Sequence, residues 1–372
     1  MTSVRIPAAV LERVRSTTEA VAALAQIDLV AEEVLGGRAA LLGLPQAGRV
    51  SAGGATRLMG GPGGWCALTL SRPDDVDAVP ALVEAEHVRR QEYWTAVERC
   101  VRDTGVAAFA ERARLLGLPV GVLGETVGAA PDIRRLGDRS ALPPLAALLV
   151  ADLSSMWAGP LCGHLLARAG ATVVKVESAS RPDGTRHGST EFFDWMNAGK
   201  LSYLADFAHP TGVRRLLAAA DVVIESSRPA TLRRRGLGPG DIPPRPGQIW
   251  VRITGHGTVG DCADWVAFGD DAAVSGGLVG GTAAAPRFCG DAVADPLTGL
   301  HAARCVLEAH GRGGGELIEM SMAAVAAEYA QLPLGQEIDC ATMPSITAQA
   351  AGLGADTDRV DRMVAQRLAT AC

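Results

Sequence analysis

A glycine-bearing turn between two apolar runs is the clearest chemical signal in the sequence. Residues 146–151 form an apolar run typical of a buried strand, and Ala158-Gly159-Pro160 then gives a small, tight start to a helix. Gly170 ends that helix, and residues 171–177 read as the next strand. The pattern predicts a strand–helix–strand unit whose helix N-terminus offers backbone N–H groups to an anionic ligand.

Basic side chains downstream of this unit are candidates for holding phosphate. The clearest cluster is Arg233-Arg234-Arg235, with Arg228 just before it. Arginine offers planar, bidentate contact to phosphate, which lysine does not. A solvated basic face is the alternative interpretation of the same residues.

Composition limits the function classes. The chain has 372 residues, 48% of them hydrophobic, and a net charge of −6, which is long enough for two or three domains and argues against a general nucleic-acid binder. No apolar run approaches ~20 residues, so we expect no membrane span, and the N-terminus lacks a signal-peptide core. We therefore expect a cytoplasmic protein. The eight cysteines and seven histidines are scattered, which predicts free thiols and no metal site.

The remaining patterns divide the chain. Residues 1–48 have a helical pattern, Trp65 to Leu70 alternate like a strand, and residues 80–117 read as two helices. A polar stretch with prolines, 132–144, reads as a linker, and a helix is expected near 358–369. We predict an N-terminal region over 1–140, an α/β domain over 146–330 and a C-terminal tail over 331–372.

The residue identities within these motifs also resemble those of a known protein family. The chain resembles the family III CoA-transferases (the CaiB/BaiF fold), the group that includes formyl-CoA transferase, carnitine CoA-transferase and α-methylacyl-CoA racemase. The similar segments are, in chain order, Ala158-Gly159-Pro160, Lys175-Val176-Glu177, Arg181 to Arg186, Asn197-Ala198-Gly199-Lys200, Asp221 to Glu225 with Arg228-Pro229, Ile253 to Gly257, Ala294-Asp295 with Thr298-Gly299, and Gly311 to Met322. The resemblance runs from about residue 146 to residue 330, roughly half the chain.

The resemblance implies an α/β fold with a Rossmann-like CoA-binding domain and a smaller α+β domain placed N-terminally. Arg57-Leu58 and Gly64 to Leu68 resemble a strand of the family's smaller domain, which normally follows the CoA-binding half. Two explanations stay open, a permuted order and a shortened relic of a fused tandem protein.

The resemblance also implies a function. Family members exchange CoA between two carboxylic acids, through an Asp that attacks the thioester and carries the acyl group as a mixed anhydride. The expected ligands are coenzyme A or an acyl-CoA and a carboxylic acid, without a metal. The expected assembly is an interlocked homodimer, or a hetero-oligomer with a full-length homologue.

Binding residues carry over from the matched motifs. Asn197 and Lys200 fall in a turn where Lys200 could meet a CoA phosphate, and Arg228, Arg234 and Arg235 fall where family members hold the adenosine diphosphate. Ala158 and Gly159 would line the cofactor, and Trp157 would stack on it. The alternatives are a solvated Lys200 and a Trp157 that fills the core.

The catalytic residues are less clear. The family's Asp position falls at Ala283 or Ala284, and a methyl group cannot attack a thioester. Asp270 and Asp271 could replace it, or could cap the helix that they precede. His256 either lines the CoA channel or packs in the interior.

Three functions follow from these residues. The first is an acyl-CoA:carboxylate CoA-transferase. The second is a catalytically impaired CoA-binding subunit that works with an active homologue. The third is an α-methylacyl-CoA racemase or isomerase, for which the family's histidine position holds Thr258 here.

Overall fold

The computed structural model describes residues 3–45 and 48–370. The strands of these residues are β1 Val4–Pro7, β2 Thr56–Gly61, β3 Gly64–Thr69, β4 Val120–Val122, β5 Asp132–Arg135, β6 Leu149–Asp152, β7 Thr172–Glu177, β8 Leu201–Leu204, β9 Val222–Glu225, β10 Ile249–Thr254, β11 Val279–Thr282, β12 Ala285–Phe288, β13 Glu316–Ser321 and β14 Glu337–Cys340. The helices are α1 Ala8–Ala25, α2 Ala31–Leu42, α3 Pro73–Asp77, α4 Val79–Leu82, α5 Tyr93–Thr104, α6 Val106–Leu115, α7 Ala158–Arg168, α8 Thr190–Asn197, α9 Thr211–Ala219, α10 Pro229–Arg233, α11 Gly269–Ser275, α12 Ala294–Gly311, α13 Met322–Ala330 and α14 Thr357–Thr370.

A seven-stranded sheet in the order β5-β13-β10-β9-β6-β7-β8 forms the centre of the molecule. Its neighbours are parallel, except that β5 runs antiparallel to β13. The central strands are short apolar runs, as expected for parallel strands that are covered on both faces. The predicted strand–helix–strand unit is confirmed as β6, α7 and β7.

Helices cover both faces of this sheet. One face packs against α1, α2, α7, α12 and α13, around Val150, Ile224 and Val251. The opposite face packs against α9 and α14, around Trp250 and Val223. Both layers bury β-branched residues of the parallel strands, which is the usual source of stability in an α/β sheet.

A small antiparallel sheet, β2-β3-β4, lies outside this core. It has its own apolar cluster with α5 and α6, in which Val97 and Phe109 are fully buried. The predicted strand at Trp65 to Leu70 is confirmed as β3, one residue earlier in the chain. The α/β fold class with a smaller N-terminal α+β unit is thereby confirmed.

Two regions differ from the expectation. Part of the predicted linker forms β5, because pairing with β13 supplies its backbone hydrogen bonds. The short, mostly charged sequence of β5 does not by itself indicate a strand. In the tail, β14 pairs with β1 and the expected helix is α14. The division into domains over 1–140, 146–330 and 331–372 stays a prediction. Among the described helices, none is both long and apolar enough to cross a bilayer.

Candidate functional site

The strand order reverses direction between β6 and β9. The chain proceeds from β6 to β7 and β8 on one side, and then to β9, β10 and β13 on the other. The loops that follow β6 and β9 therefore meet: the Leu153 N–H donates to the Ile224 carbonyl at 2.8 Å, and the Ser155 N–H to Ser226 Oγ at 3.3 Å. Ligands of open α/β sheets bind in the crevice at such a reversal, outside the carboxyl ends of the strands.

Two buried lysines fix the turn after β6. Lys175 Nζ donates to the Ser154 carbonyl at 3.0 Å and pairs with Asp183 at 2.7 Å. The Asp183 carboxylate in turn accepts the N–H of Met156, whose φ of 72° lies in the left-handed region that few non-glycine residues adopt. The turn is thus held in a costly conformation by buried charges at the mouth of the crevice. Sequence reasoning missed Lys175 and Asp183 as site residues, although both stood in the matched motifs.

Lys200 is not available to a phosphate. Its Nζ donates to Asp152 Oδ2 and to the Pro160 carbonyl, both at 2.9 Å, and only 4% of the residue is exposed. Asn197 is also buried, with its Nδ2 donating to the Phe193 carbonyl at 3.1 Å. Lys200 thus supports α7 and the end of β6 from inside, and Asn197 bonds its own helix α8, so this geometry favours structural roles while their contact with the ligand stays a prediction.

The start of α7 also faces inward. The Ala158 N–H donates to the carboxylate of Asp295, which takes the place predicted for an external anion. Gly159 is required for packing, because a Cβ at that position would overlap Ser154. Trp157 is buried and packs edge-on against Phe192, with ring centroids 5.4 Å apart. These three residues form a wall of the crevice and the core behind it. The packing of Trp157 fits the alternative that it fills the core, and its stacking on a ligand stays a prediction.

The predicted arginines lie on the surface beside the crevice. Arg228, Arg234 and Arg235 are exposed and flank α10, at the carboxyl end of β9. Arg235 Nη1 donates to the Thr231 carbonyl at 3.0 Å, while no described residue accepts a hydrogen bond from the side chains of Arg228 or Arg234. The helix and the loop after it border a pocket of about 440 Å³, whose charged lining residues are Arg134, Arg233, Asp241, Arg252, Asp264 and Glu319. Arg228 and Arg234 therefore leave positive charge exposed beside the crevice.

Asp270 and Asp271 lie in the interior rather than in the crevice. Asp271 Oδ1 accepts the Thr69 hydroxyl at 2.7 Å and the Phe268 N–H at 3.1 Å, which caps α11. Asp270 Oδ1 accepts the Ala292 N–H at 3.0 Å. Burial raises the pKa of Asp271 to about 8, and burial together with the charge of Asp291 raises the pKa of Asp270 to about 6. The geometry supports the capping interpretation for Asp271, whereas Asp270 joins α11 to the loop before α12.

Residues 145–355 match the model of CoA-transferase family III. The chain belongs to this family. It is 33% identical over 206 residues to succinate–glutarate CoA-transferase of Agrobacterium fabrum, a match that covers 48% of this chain and 51% of that protein. It is 33% identical over 197 residues to succinyl-CoA–D-citramalate CoA-transferase of Chloroflexus aurantiacus, covering 48% and 49%. A solved CaiB/BaiF family protein from Brucella suis matches with a TM-score of 0.45 and 31% identity, covering 50% of this chain and 55% of that one. The chain spans about half the length of the curated relatives that it matches.

The position that the sequence analysis predicted for the family carboxylate lies at the tip of a hairpin. Strands β11 and β12 pair antiparallel, and Ala283 and Ala284 form the exposed turn between them. The loop that the sequence suggested is therefore an ordered hairpin, and its tip carries methyl groups only. Cys289, beyond the second strand, is buried, and burial raises the pKa of its thiol.

His256 follows β10 and lies half-buried against Trp265, with ring centroids 5.3 Å apart. Neither ring nitrogen has a hydrogen-bond partner among the described residues. Burial lowers the pKa of the imidazole to about 4, so the ring is neutral at neutral pH. The nearest charges are those of Arg114 and Glu125, which pair with each other at 2.5 Å. His256 and the two aspartates therefore lie in different surroundings and form no acid–base pair with each other. No three described His, Cys, Asp or Glu residues are grouped as a metal site would require.

Proposed function

We propose that this protein binds coenzyme A or an acyl-CoA thioester in the crevice between the loops after β6 and β9. Family membership supports this proposal, and so does the exposed basic face beside the crevice. The observation that carries it is the position of Arg228, Arg234 and Arg235 at the carboxyl end of β9. Arginines in that position can meet the phosphates while the thiol arm runs toward the turn at Met156. We place the activity in the cytoplasm.

The reaction that we propose is transfer of CoA between carboxylic acids. A carboxylate oxygen attacks the thioester carbonyl, the C–S bond breaks and the CoA thiolate leaves, so that an anhydride links the acyl group to the attacking carboxylate. The thiolate then attacks the anhydride at the carbonyl carbon that comes from the attacking carboxylate. This forms a new thioester there and releases the original acyl group as the first acid. Return of CoA to a second acid, by the same two steps in reverse, completes the exchange without an added oxidant or reductant.

A second candidate function has specific support. The exposed hairpin tip at Ala283-Ala284 has no carboxylate, and Asp270 and Asp271 are held inside. One relative, 35% identical over 174 residues, is named as the beta subunit of a succinyl-CoA–L-malate CoA-transferase of Chloroflexus aurantiacus. In this second candidate the chain binds CoA, and an active homologue supplies the carboxylate.

The binding proposal is tested by calorimetry with CoA. Arg234→Ala should weaken binding by about 1.5–3 kcal/mol, which is a fold-change of roughly 10 to 150, because one charge-assisted contact is lost. Arg99→Ala is the matched control, since Arg99 is an exposed arginine on α5, outside the large sheet. Absence of a heat signal with the parent at millimolar CoA would overturn both candidates, and equal loss in the two variants would reject the basic face as the site.

The two candidates differ in the activity of the purified chain. Succinyl-CoA with glutarate is a suitable first pair, because relatives carry those acids in their names. Formation of glutaryl-CoA by the chain alone supports the first candidate. CoA binding without turnover supports the second candidate, and Ala283→Asp then tests whether a carboxylate at the hairpin tip restores transfer.

A further inference from the structure

Residues 256–265, here called the flap, follow β10 and form one side of the pocket beside α10. The flap residues that line this pocket of about 440 Å³ are Thr258, Val259, Ala263 and Asp264. The chain just before the flap is fixed, because the Gly255 carbonyl accepts the Ala323 N–H at 3.0 Å. The side chains at the two ends of the flap, His256 and Trp265, pack instead toward the unit that contains the small sheet.

A stack of side chains connects the flap to α6. The ring of His256 packs edge-on against Trp265, with the two planes at 73°. The guanidinium of Arg114 lies over the other partner of this pair, 3.6 Å from the centroid of the Trp265 ring, as in a cation–π contact. Glu125 holds Arg114 in place by accepting hydrogen bonds from its Nη2 at 2.5 and 2.6 Å. The flap is thus attached to the unit of the small sheet through a stack that ends in an imidazole.

The imidazole at the end of this stack makes no hydrogen bonds. Neither Nδ1 nor Nε2 of His256 has a partner among the described residues, and both atoms are shielded from solvent. A neutral imidazole carries one donor and one acceptor, whereas the protonated ring carries two donors. A buried polar group without a partner is costly, and a buried unpaired charge is costlier still. The closed stack therefore accepts the neutral ring at a cost and excludes the protonated ring.

The charged groups that face the ring do not compensate a positive charge on it. From α6, the cation of Arg114 disfavours a second positive charge, and from the segment after β4, the Glu125 carboxylate favours it. That carboxylate is already engaged, because besides Arg114 it accepts the Ser275 hydroxyl at 3.0 Å and the Val122 N–H at 2.9 Å. The acidic residues of the flap itself are exposed, and these are Asp261 and Asp264. A protonated His256 must therefore be solvated by water, which requires the ring to leave the stack.

We propose that His256 is a proton-operated latch, whose neutral ring keeps the flap closed and whose protonation releases the flap and opens the pocket beside α10. Burial lowers the pKa of His256 from its ordinary value of 6.5 to about 4. The closed flap therefore has its full stability above about pH 6.5 and loses it as the pH falls toward 4. This latch does not depend on CoA binding, so it can hold or fail independently of the proposed function.

Amide hydrogen exchange of the whole chain at pH 7.5 and pH 5.5 tests the latch. From the two pKa values, the equilibrium constant for opening should be about tenfold larger at pH 5.5. The Gly257 N–H, which donates to Thr254 Oγ1 at 3.0 Å, should therefore exchange about tenfold faster at pH 5.5, after correction for the intrinsic pH dependence of exchange. The amides of β9 and β10 should keep their protection. Equal protection of the flap at both pH values would overturn the proposal.

His256→Phe separates the latch from a general effect of acid. Phenylalanine keeps an aromatic ring against Trp265, but it has no nitrogen to leave unpaired and no proton to gain. Protection of the flap should therefore rise at pH 7.5 and should be the same at pH 5.5. His209→Phe is the matched control, because the side chain of His209 is 87% exposed, and it should respond to acid as the parent does. An acid response that persists in His256→Phe would contradict the latch.

NMR titration of the histidine rings gives a second measurement on the folded parent. The ring C–H signal that is missing from the spectrum of His256→Phe belongs to His256, and its pKa should lie clearly below 6.5. Titration of this signal at the ordinary value of 6.5 would mean that the ring is solvated in the folded protein, and the proposal would be rejected.

Arg114→Met tests the other end of the stack. The variant removes the guanidinium that lies over Trp265, so the flap should exchange faster than in the parent already at pH 7.5. Circular dichroism should show an unchanged content of helix and strand. Exchange of the flap at the parent's rate would mean that α6 does not hold it closed, which rejects the stack as the latch.

Discussion

Several aspartates near the candidate site are buried, and burial limits the chemistry that their carboxyl groups can perform. Asp295 joins Asp270 and Asp271 in the interior, and burial raises its pKa to about 7. Arg38 pairs with Asp291 at 2.6 Å and lies over the rings of Trp157 and Phe192, so its charge is already committed to the core. A carboxyl group that binds a proton near neutral pH is a weak nucleophile. The aspartates of this region thus stabilise the fold and are poor replacements for the family carboxylate.

The raised pKa of Asp271 predicts a pH dependence of stability. Its pKa in the folded protein, about 8, lies above its ordinary value of 3.8, so the folded state holds the proton more tightly. This stabilisation is complete below about pH 4 and is lost as the pH rises toward 8. The parent should therefore lose unfolding free energy between pH 5 and pH 8. Asp271→Asn should reduce that loss by about 1 kcal/mol or more.

Urea unfolding at pH 5, 6.5 and 8 measures this effect. Asp138→Asn is the control, because the side chain of Asp138 is 78% exposed and pairs only at the surface, with Arg135. Equal slopes of unfolding free energy against pH in the parent and in Asp271→Asn would show that the carboxyl group ionises normally in the folded protein.

The buried pair of Lys200 and Asp152 gives a second prediction at this scale. Lys200→Met leaves Asp152 buried without its main cation and should destabilise the protein by about 3–5 kcal/mol. The double variant Lys200→Met with Asp152→Asn should recover part of that loss, because it also removes the unpaired charge. Denaturant unfolding of the three variants measures the coupling. If Lys200→Met lowers the free energy of unfolding only slightly, the buried pair is contradicted. Lys200 would then be exposed and able to bind the ligand, as its turn predicts.

At the scale of elements, the site depends on the contact between α7 and α12. Gly299 lets the two helices approach, since a Cβ there would lie 2.5 Å from the Ala158 carbonyl and 2.9 Å from Leu161 Cβ. Gly299→Ala should destabilise the protein by about 1–3 kcal/mol through overpacking. Gly311→Ala, in the last turn of the same helix, meets no atom within 4 Å and should be neutral or stabilising. Equal thermal shifts in both variants would mean that helix propensity, not packing, sets the result.

The sequence predicted those elements whose pattern is local. The unit of β6, α7 and β7 followed from apolar runs and glycine, and α14 followed from its helical spacing. β5 was missed because its four residues, three of them charged, become a strand only by pairing with β13, far along the chain. The exposed arginines could be foreseen, since basic side chains rarely lie fully buried. The burial of Lys200 could not, because its partner Asp152 is distant in sequence and the pair arises from the tertiary fold.

At the scale of the molecule, the small sheet and the large sheet meet at α11. Thr56 and Thr69 of β2 and β3 donate to Asp270 and Asp271 at 3.3 and 2.7 Å, so hydrogen bonds cross the contact in its interior. Because these carboxyl groups gain negative charge as the pH rises, the contact should weaken in alkaline buffer. The two sheets are thus coupled through these polar groups and through a small apolar cluster in which Leu58 and Ala67 contact Val274 of α11.

Gly121 of β4 gives the most direct test of that coupling. A Cβ at this position would overlap the Asp271 carbonyl and lie 3.1 Å from Ser275 Cβ, so Gly121→Ala must push the small sheet away from α11. We expect a loss of about 1–3 kcal/mol and faster amide exchange in β2, β3 and β4 than in β6, β9 and β10. Gly335→Ala is the control, since a Cβ there meets no atom within 4 Å. Uniformly faster exchange in both sheets would mean that they unfold as one cooperative unit, and unchanged exchange would mean that the contact at α11 does not hold them together.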